Sequence, residues 1–415
     1  MKILTIIKEI AIIIKQLGGR SFFVGGYVRD FILQRPNYDI DIECFGISAD
    51  NLYTILSKFG NVKLVGKSFG VFKLTELPNY DFALPRIERK IGNKHTDFLV
   101  EFDPLLPFDQ AAKRRDFTCN ALMMDVLTGE ILDFYQGISD CRKKILRHVN
   151  AETFIEDALR GLRACQFAGR LGFAIAPETQ ELIRVLTYEH LSIERVQGEL
   201  TKGLLSKHPD IVVEMLYSLN IFSQLFPEIA VYFQDKKTFE RCLLQLKFIG
   251  DNNFIDEKSQ LATTLIFLLY KIPSYSKVLN KLTNNHLVRK LVKNVLHSLP
   301  LVQVVKNATD LRYLKNQISN RDLFMQVVEI LYQTDFAFIE NRYSSFATFS
   351  AAFTQAIQNN PTNQPLIQGR DLIDLGLQPN TNFKEILQQA LLLEIEGYVK
   401  MEIIEILKKQ LQISN

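Results

Sequence analysis

Two aspartates two residues apart, Asp39 and Asp41, are the residues of this sequence best suited to chemistry. On a β-strand they would lie on one face, roughly 7 Å apart, while Ile40 enters the core. Carboxylate oxygens are the ligands that Mg²⁺ prefers, and bound Mg²⁺ can activate a hydroxyl and neutralise a leaving pyrophosphate. A third carboxylate, Asp81, follows a strand-like segment and could complete the metal site or act as a base. An Asp-x-Asp pair alone also fits a solvated strand edge, so the assignment depends on its surroundings.

A glycine pair precedes the aspartates. Gly25 and Gly26 end a β-type segment, and the residues from Tyr27 to Asp30 begin a helix. Glycine lets the backbone approach a phosphate, and a helix N-terminus supplies N–H donors. Arg29 can add a charge-assisted contact. A plain tight turn is the alternative for the two glycines taken alone.

Two later segments could also contact a nucleotide. The cations Lys113–Arg115 suit a polyphosphate, with Asn120 as a nearby polar group, although a solvated basic face has the same composition. Asp157 and Arg160 are three residues apart, so we expect them to share a helix face. An acceptor beside a planar donor could meet the Watson–Crick edge of a base, while a surface salt bridge is the simpler interpretation. Ser192 is expected to cap a further helix.

The elements that position these residues change in type along the chain. Residues 4–17 have helical spacing, 20–26 and 38–46 have strand patterns, and 61–84 suggests two or three more strands. After Phe154 the apolar residues recur at helical spacing. The predicted fold class is α+β, an N-terminal mixed α/β head followed by an all-helical neck, body and tail. The predicted boundaries are a head at 1–140, a neck at 141–210, a body at 211–300 and a tail at 301–415.

Composition excludes several classes of protein. The chain has 415 residues, of which 47% are hydrophobic and 23% charged, as in globular proteins of several domains. The net charge of +3 neither requires nor excludes a nucleic-acid partner, so any basic surface must be local. The five cysteines are scattered without a CxxC pair, which favours reduced thiols in a cytoplasmic protein over a zinc site. The apolar segment Ile10–Ile14 is too short to cross a membrane, so no membrane partner is expected.

The order of the motifs resembles that of a known family. From Gly25 to Glu199 the chain contains GGYVRD, DID, RRDFTCNA, EDALRGLR and SIERV. This series is similar to the class II nucleotidyltransferases, which include the bacterial CCA-adding tRNA nucleotidyltransferases and poly(A) polymerases. The segments GRDLID and GLQP, after Gln368, resemble the tail of CCA-adding enzymes. The resemblance implies template-independent addition of CCA to tRNA 3′ ends from CTP and ATP, by two-metal transfer that releases pyrophosphate.

The resemblance also implies roles for individual residues. Asp39 and Asp41 would hold the catalytic Mg²⁺ ions, and Asp81 would be the third catalytic carboxylate, although the family often has Glu there. Asp157 and Arg160 would act as an amino-acid template for the base, oriented by Glu156. The implied nucleotide-binding residues are Gly25, Gly26, Arg29, Asp30, Arg115, Asp116, Asn120, Glu156, Asp157, Arg160 and Arg163.

Several family members remain possible. Residues 86–95 are polar and charged, as expected for the flexible loop that CC-only enzymes lack, so CC-only addition is disfavoured. A-only addition stays open, and the small net charge argues against poly(A) addition. None of the six histidines precedes an Asp, so no phosphohydrolase domain is expected. A catalytically silent RNA-binding protein and a small-substrate nucleotidyltransferase are the alternatives of another class.

The helical remainder is expected to bind the acceptor and TΨC arms of tRNA through shape and backbone contacts. No protein partner can be inferred. The candidate phosphate contacts are Lys143, Lys144, Arg147, Lys202 and Lys207.

Overall fold

The computed structural model describes residues 2–65, 70–90, 98–252, 254, 256–335, 343–358, 365–378, 383–396 and 398–410. The chain divides into two compact units, Met1–Gln234 and Asp235–Asn415. The four-part division into head, neck, body and tail stays a prediction.

The first unit is built on a seven-stranded sheet in the order β3-β4-β5-β2-β1-β8-β9. Strands β2 and β5 are parallel, and the other neighbours are antiparallel. Two further strand pairs, β6-β7 and β10-β11, lie outside this sheet. The strands are β1 Arg20–Val24, β2 Ile40–Phe45, β3 Val62–Val65, β4 Val71–Leu74, β5 Tyr80–Ala83, β6 Arg86–Lys90, β7 Phe98–Phe102, β8 Met123–Asp125, β9 Ile131–Leu132, β10 Ile145–Leu146 and β11 Ala174–Ile175.

Helices flank the strands and fill the rest of the first unit. A short 3₁₀ helix, Thr118–Asn120, lies within the RRDFTCNA motif. Side chains of Ser48, Asn150 and Ser192 cap three of the α-helices at their N-termini. The α-helices are α1 Lys2–Gln16, α2 Gly26–Ile32, α3 Ala49–Leu56, α4 Phe108–Lys113, α5 Gly137–Lys143, α6 Ala151–Ile155, α7 Leu159–Leu171, α8 Pro177–Arg184, α9 Ile193–Leu204, α10 Pro209–Ser218, α11 Ile221–Leu225 and α12 Pro227–Tyr232.

An aromatic core fixes α4 against the centre of the sheet. The rings of Phe22 on β1, Phe45 on β2 and Phe108 on α4 meet edge to face, with centroids 4.9 to 5.7 Å apart. Phe22 and Phe45 are buried together with Val24 and Met123. Edge-to-face contacts add to the free energy of apolar burial. The segment after α4, which carries RRDFTCNA, is thereby held next to β2.

The described part of the second unit is helical. A core of buried residues near its end includes Ile367, Leu372 and Leu407. In the described residues, no helix has the length and apolar character to cross a membrane. The helices are Lys236–Asp251, Glu257–Leu269, Tyr275–Leu282, His286–Val304, Ala308–Gln317, Arg321–Thr334, Phe346–Gln358, Gly369–Asp374, Phe383–Glu396 and Lys400–Gln410.

The predicted fold class is confirmed, and strands are present in the segments predicted at 20–26, 38–46 and 61–84. One local expectation is wrong: residues 86–90, predicted as the start of a loop, form strand β6 paired with β7. Ile87 stands between two charged residues in the sequence, an alternation that is compatible with a strand, but the high charge of the segment led to the prediction of a loop. Residues 91–97 of that loop lie outside the described residues.

Candidate active site

Three carboxylates gather at the N-terminal ends of two interior strands of the sheet, β2 and β5. Asp41 on β2 and Asp81 on the parallel strand β5 are direct cross-strand partners. Asp39 precedes the first residue of β2, so only Asp41 of the Asp-x-Asp pair lies within the strand. Asp39 and Asp41 are both exposed, while Ile40 between them is buried as expected. We call Asp39, Asp41 and Asp81 the carboxylate edge.

The electrostatics of the carboxylate edge are those of like charges brought together. The pKa of Asp41 is raised, chiefly because surrounding protein atoms limit the hydration of its carboxyl although the residue is exposed, and Arg115 opposes the rise. Asp39 and Asp81 raise the pKa of Asp41 further because each adds a nearby negative charge. A bound cation would relieve this repulsion.

Lys73 on β4 is a residue of this site that sequence analysis missed. Its Nζ lies 2.9 Å from Oδ2 of Asp81, its cross-strand partner. The pKa of Lys73 is raised by the hydrogen bond to Asp81 and by the charges of Asp81, Asp39 and Asp41. Lys73 stands eight residues before Asp81, and only the antiparallel pairing of β4 with β5 brings the two together.

The residues of the carboxylate edge fit a divalent cation. The described residues contain no cluster of three or more His, Cys, Asp or Glu side chains able to hold a metal ion by themselves. Mg²⁺ is commonly bound by one or two carboxylates and completed by substrate phosphates and water. Two exposed aspartates beside a third carboxylate satisfy that requirement.

The glycine turn lies against Arg115. Gly25 has φ +69°, a conformation that side chains with a Cβ rarely adopt. A Cβ placed there would also lie 3.1 Å from Nη1 of Arg115. Buried Glu43, two residues after Asp41 on β2, lies 2.6 Å from Nη2 of Arg114 and 3.9 Å from Nη2 of Arg115. This carboxylate, which sequence analysis did not single out, anchors both arginines beside the turn and the carboxylate edge.

A buried chain of polar side chains connects the other motifs. Arg29 donates to both Asp30 carboxylate oxygens, from Nε at 2.9 Å and Nη2 at 2.8 Å, and from Nη1 to Asn120 Oδ1 at 2.7 Å. Asn120 in turn donates to Asp116 Oδ1 at 3.1 Å. Arg163 donates to Asp116 Oδ2 from Nε at 2.8 Å, with its Nη2 2.7 Å from the same oxygen. We call these five residues the buried polar chain.

Charge pairing stabilises the ionised forms within the buried polar chain. Burial alone would raise the pKa of Asp116, but Arg163 and the hydrogen bond from Asn120 hold that pKa below its usual value. Burial lowers the pKa of Arg163, and the charges of Asp116 and Glu199 raise it above its usual value. The ring of Phe167 lies under both arginines, 5.5 Å from the guanidinium carbon of Arg29 and 5.2 Å from that of Arg163.

The structure corrects the expected geometry of the EDALRGLR motif, residues 156–163. Helix α7 begins at Leu159, so Asp157 lies in the preceding turn and does not share a helix face with Arg160. Asp157 Oδ1 accepts the N–H of Leu159, and such short side-chain contacts to the backbone compete with helix. Glu156 lies in the same turn, after α6.

Both members of the motif are nevertheless held in place. Asp157 Oδ2 accepts a hydrogen bond from Arg195 Nη2 on α9 at 2.9 Å. Arg160 donates to the carbonyl oxygens of Thr153 and Arg114, at 2.9 and 2.8 Å. The contact with Arg114 joins the EDALRGLR motif to the RRDFTCNA segment.

Helix α9, interpreted from sequence only as a helix start, supplies two positioning residues. Arg195 holds Asp157, and Oε1 of Glu199 lies 3.8 Å from Arg163 Nη1. The spacing of an arginine and a glutamate four residues apart on one helix face was the available signal.

Two of the candidate phosphate contacts have carboxylate partners. Arg147 pairs with Asp140 and Glu178, and Lys202 pairs with Glu199 at 3.0 Å. Their role in RNA binding stays a prediction. All five cysteines are buried.

Comparison with known families agrees with these motifs. Residues 21–147 match the Poly A polymerase head domain, and residues 172–233 match the probable RNA and SrmB-binding site of polymerase A. A "Multifunctional CCA protein" from Pasteurella multocida is 41% identical over 218 residues, which cover 51% of this chain and 50% of that protein. A "CCA-adding enzyme" from Actinobacillus succinogenes is 35% identical over 274 residues, covering 64% of this chain and 66% of that protein. The chain belongs to the class II nucleotidyltransferases.

The match to these class II relatives is partial in length. The chain spans 50% of the first and 66% of the second curated relative. Solved structures extend the likeness of fold to nearly the whole chain. The structure of the Bacillus stearothermophilus CCA-adding enzyme in complex with CTP aligns with 99% of this chain and over 98% of its own length. The TM-score is 0.71 at 22% sequence identity. The structure of the Thermotoga maritima CCA-adding enzyme complexed with tRNA aligns with 99% of this chain and over 96% of its own length. The TM-score is 0.64 at 20% sequence identity.

Proposed function

We propose that this nucleotidyltransferase adds CCA to tRNA 3′ ends, using CTP and ATP and releasing pyrophosphate. The observation that supports this most directly is the meeting of Asp41 and Asp81 in register, beside a glycine turn packed against Arg115. That arrangement combines carboxylates for cations with backbone and guanidinium groups for a triphosphate. The sequence relatives, whose names refer to CCA, favour this member of the family.

In this proposal Asp39 and Asp41 hold divalent ions, for which we propose Mg²⁺. Bound there, Mg²⁺ would supply Lewis-acid activation of the 3′-hydroxyl and charge neutralisation at the departing pyrophosphate. Asp81 is the third carboxylate, held by Lys73. Gly25 and Gly26 let the backbone approach the triphosphate, and Arg115 adds positive charge next to them.

The Arg29–Asp30 pair supports the Gly25–Gly26 turn from inside the protein. The guanidinium of Arg29 is 2% exposed and is bonded to Asp30 and Asn120. We therefore assign Arg29 and Asp30 to bracing the phosphate-binding turn, and Asp116 and Asn120 to bracing the segment that carries Arg115.

Base selection falls to Asp157 and Arg160. A carboxylate offers acceptors and a guanidinium offers parallel donors, a set that complements cytosine and, in a shifted pairing, adenine. Uracil and guanine would place donor against donor or acceptor against acceptor. A site strongly rejects a base that leaves its buried polar groups without hydrogen-bond partners. The contacts to Arg195, Thr153 and Arg114 orient the two side chains.

Incorporation on three tRNA transcripts tests the proposal. The transcripts end before CCA, after C, and after CC, and each is incubated with Mg²⁺ and labelled CTP or ATP. Addition that completes CCA and then stops supports the proposal. Growth only on the transcript ending in CC would indicate an A-adding enzyme, and a ladder of adenosines on any RNA a poly(A) polymerase. Absence of incorporation would favour a silent RNA-binding protein.

The partner in this proposal is tRNA, bound through its acceptor and TΨC arms by the helical part of the chain. We infer a cytoplasmic location, where tRNA is matured and buried thiols such as those found here stay reduced.

A further inference from the structure

Asp39 is held differently from Asp41. Asp41 lies within β2, between β1 and β5, whereas Asp39 ends a segment, residues 35–39, that has no regular secondary structure. A proposed metal ligand outside a strand needs another means of fixing its backbone, because metal affinity depends on preorganised ligands.

One side chain supplies that means. The backbone N–H of Asp39 donates to Oδ1 of Asn37 at 2.9 Å. Nδ2 of the same Asn37 donates to Oδ2 of Asp30 at 2.6 Å. The two ends of a single amide thus connect the carboxylate edge to buried Asp30.

The chemistry of the neighbours determines the orientation of this amide. A carboxylate only accepts hydrogen bonds and a backbone N–H only donates, so Nδ2 must face Asp30 and Oδ1 must face Asp39. Asp30 itself is 5% exposed and clamped by both Arg29 contacts, which makes it a rigid anchor. An aspartate at position 37 would keep the acceptor and place a second carboxylate against Asp30.

We propose that Asn37 is a positioning residue that fixes Asp39 for cation binding by tying it to the buried Arg29–Asp30 pair. This inference rests on the proposed function, in which Asp39 holds a divalent ion. Outer-shell groups that orient metal ligands change affinity by about 10- to 100-fold. The loop itself has other anchors, since Arg35 N donates to Asp30 O at 2.8 Å and Ile40 N to Asn79 O at 2.9 Å. Loss of the Asn37 side chain is therefore expected to loosen Asp39 and leave the fold intact.

The test measures Mn²⁺ binding to the full chain by electron paramagnetic resonance, without nucleotide or RNA. Asn37→Ala and Asn37→Asp are compared with the wild type and with Asn51→Ala, an exposed asparagine on α3. We expect both Asn37 variants to bind Mn²⁺ about tenfold more weakly with unchanged tRNA affinity, and Asn37→Ala to keep the thermal midpoint of the wild type. Asn37→Ser, which keeps a short acceptor for the N–H of Asp39, is expected to recover part of the affinity, and Asn51→Ala to match the wild type.

Wild-type Mn²⁺ affinity in Asn37→Ala and Asn37→Asp would overturn the proposal. So would a loss of affinity that accompanies an equal loss of thermal midpoint and tRNA binding, because that pattern belongs to a structural residue. If Asn37→Ala does not fold, the same criteria apply to Asn37→Ser and Asn37→Asp. A wild type that adds no nucleotide, with weakened Mn²⁺ binding in the variants, would refute the proposed function and leave this inference standing.

Discussion

The carboxylate edge and the buried polar chain are both made of charged motif residues, yet they are organised in opposite ways. Asp39 and Asp41 are exposed and bring like charges together, while Arg29 and Asp116 are buried and paired with opposite charges. In the first arrangement the repulsion is only partly offset by Lys73 and Arg115, so a bound cation would relieve it further. In the second arrangement each charge is paired within the protein. The motif residues therefore fall into two groups. Exposed residues next to like charges are available to bind a ligand, and buried residues paired with opposite charges stabilise the structure around them.

The largest expected effect is on the carboxylate edge. Asp41→Ala removes a proposed metal ligand, so nucleotide incorporation should fall on the order of 10³-fold, as when a charged group is removed from a phosphoryl-transfer site. The thermal midpoint should be unchanged or raised, because the substitution relieves repulsion with Asp39 and Asp81. Single-turnover incorporation and thermal denaturation measure the two effects. Asp50→Ala, an exposed residue on α3, is the control, and an activity within tenfold of the wild type would contradict the metal assignment.

The buried polar chain should respond in stability instead. Asp116→Ala leaves half-buried Arg163 without its main partner and Asn120 without an acceptor, and an unpaired polar or charged group of this kind costs about 1–3 kcal/mol. Urea denaturation of the full chain measures this, with hydrogen exchange of the α7 amides reporting on the first unit. Glu181→Ala, at an exposed position on α8, should change stability by less than about 0.5 kcal/mol. Equal effects of the two substitutions would remove the distinction between scaffold and surface.

Lys73 tests the difference between the two regions because it is a cation already paired with the carboxylate edge. Its ammonium lies against Asp81, and it competes electrostatically with a metal ion. Lys73→Met should tighten Mn²⁺ binding on the order of tenfold, since a charge a few ångströms away contributes about 1–2 kcal/mol near a protein surface. Lys73→Arg, which keeps the charge, should bind as the wild type does. Weaker binding in Lys73→Met would show that Lys73 supports the site rather than competing for it.

The smallest expected effect is on the pH dependence of stability. The pKa of Asp116 in the folded protein is below its ordinary value of 3.8, so the ion pair stabilises the folded state fully above that pH. This stabilisation is lost as the pH falls through the folded pKa, because the folded state then binds the proton that the unfolded state already holds. The difference in thermal midpoint between the wild type and Asp116→Asn should be constant from pH 7 to about pH 5 and shrink on further acidification. A difference that grows with acid would contradict the assigned direction.

Much of the first unit could be predicted from local patterns. A short β-type run ending in two glycines predicted β1, and alternation predicted β2. Helical spacing predicted α1 and the later helices, and the order of short motifs predicted the family. The strand at 86–90 was missed because its residues are mostly charged, which is typical of a loop. They form a strand by pairing with β7, outside the main sheet. The position of Asp157 was wrong because i,i+3 spacing alone cannot tell a helix from the turn that precedes it.

The residue types, the order of the motifs and the fold class follow from the amino-acid sequence alone, because periodicity and motif spacing are properties of the chain. Which charges meet depends on the folded arrangement. Lys73 reaches Asp81 through strand pairing, Arg163 reaches Asp116 across 47 residues, and Arg195 reaches Asp157 across 38. Such contacts depend on how strands and helices pack, and electrostatic interactions act over a few ångströms in space whatever the separation along the chain.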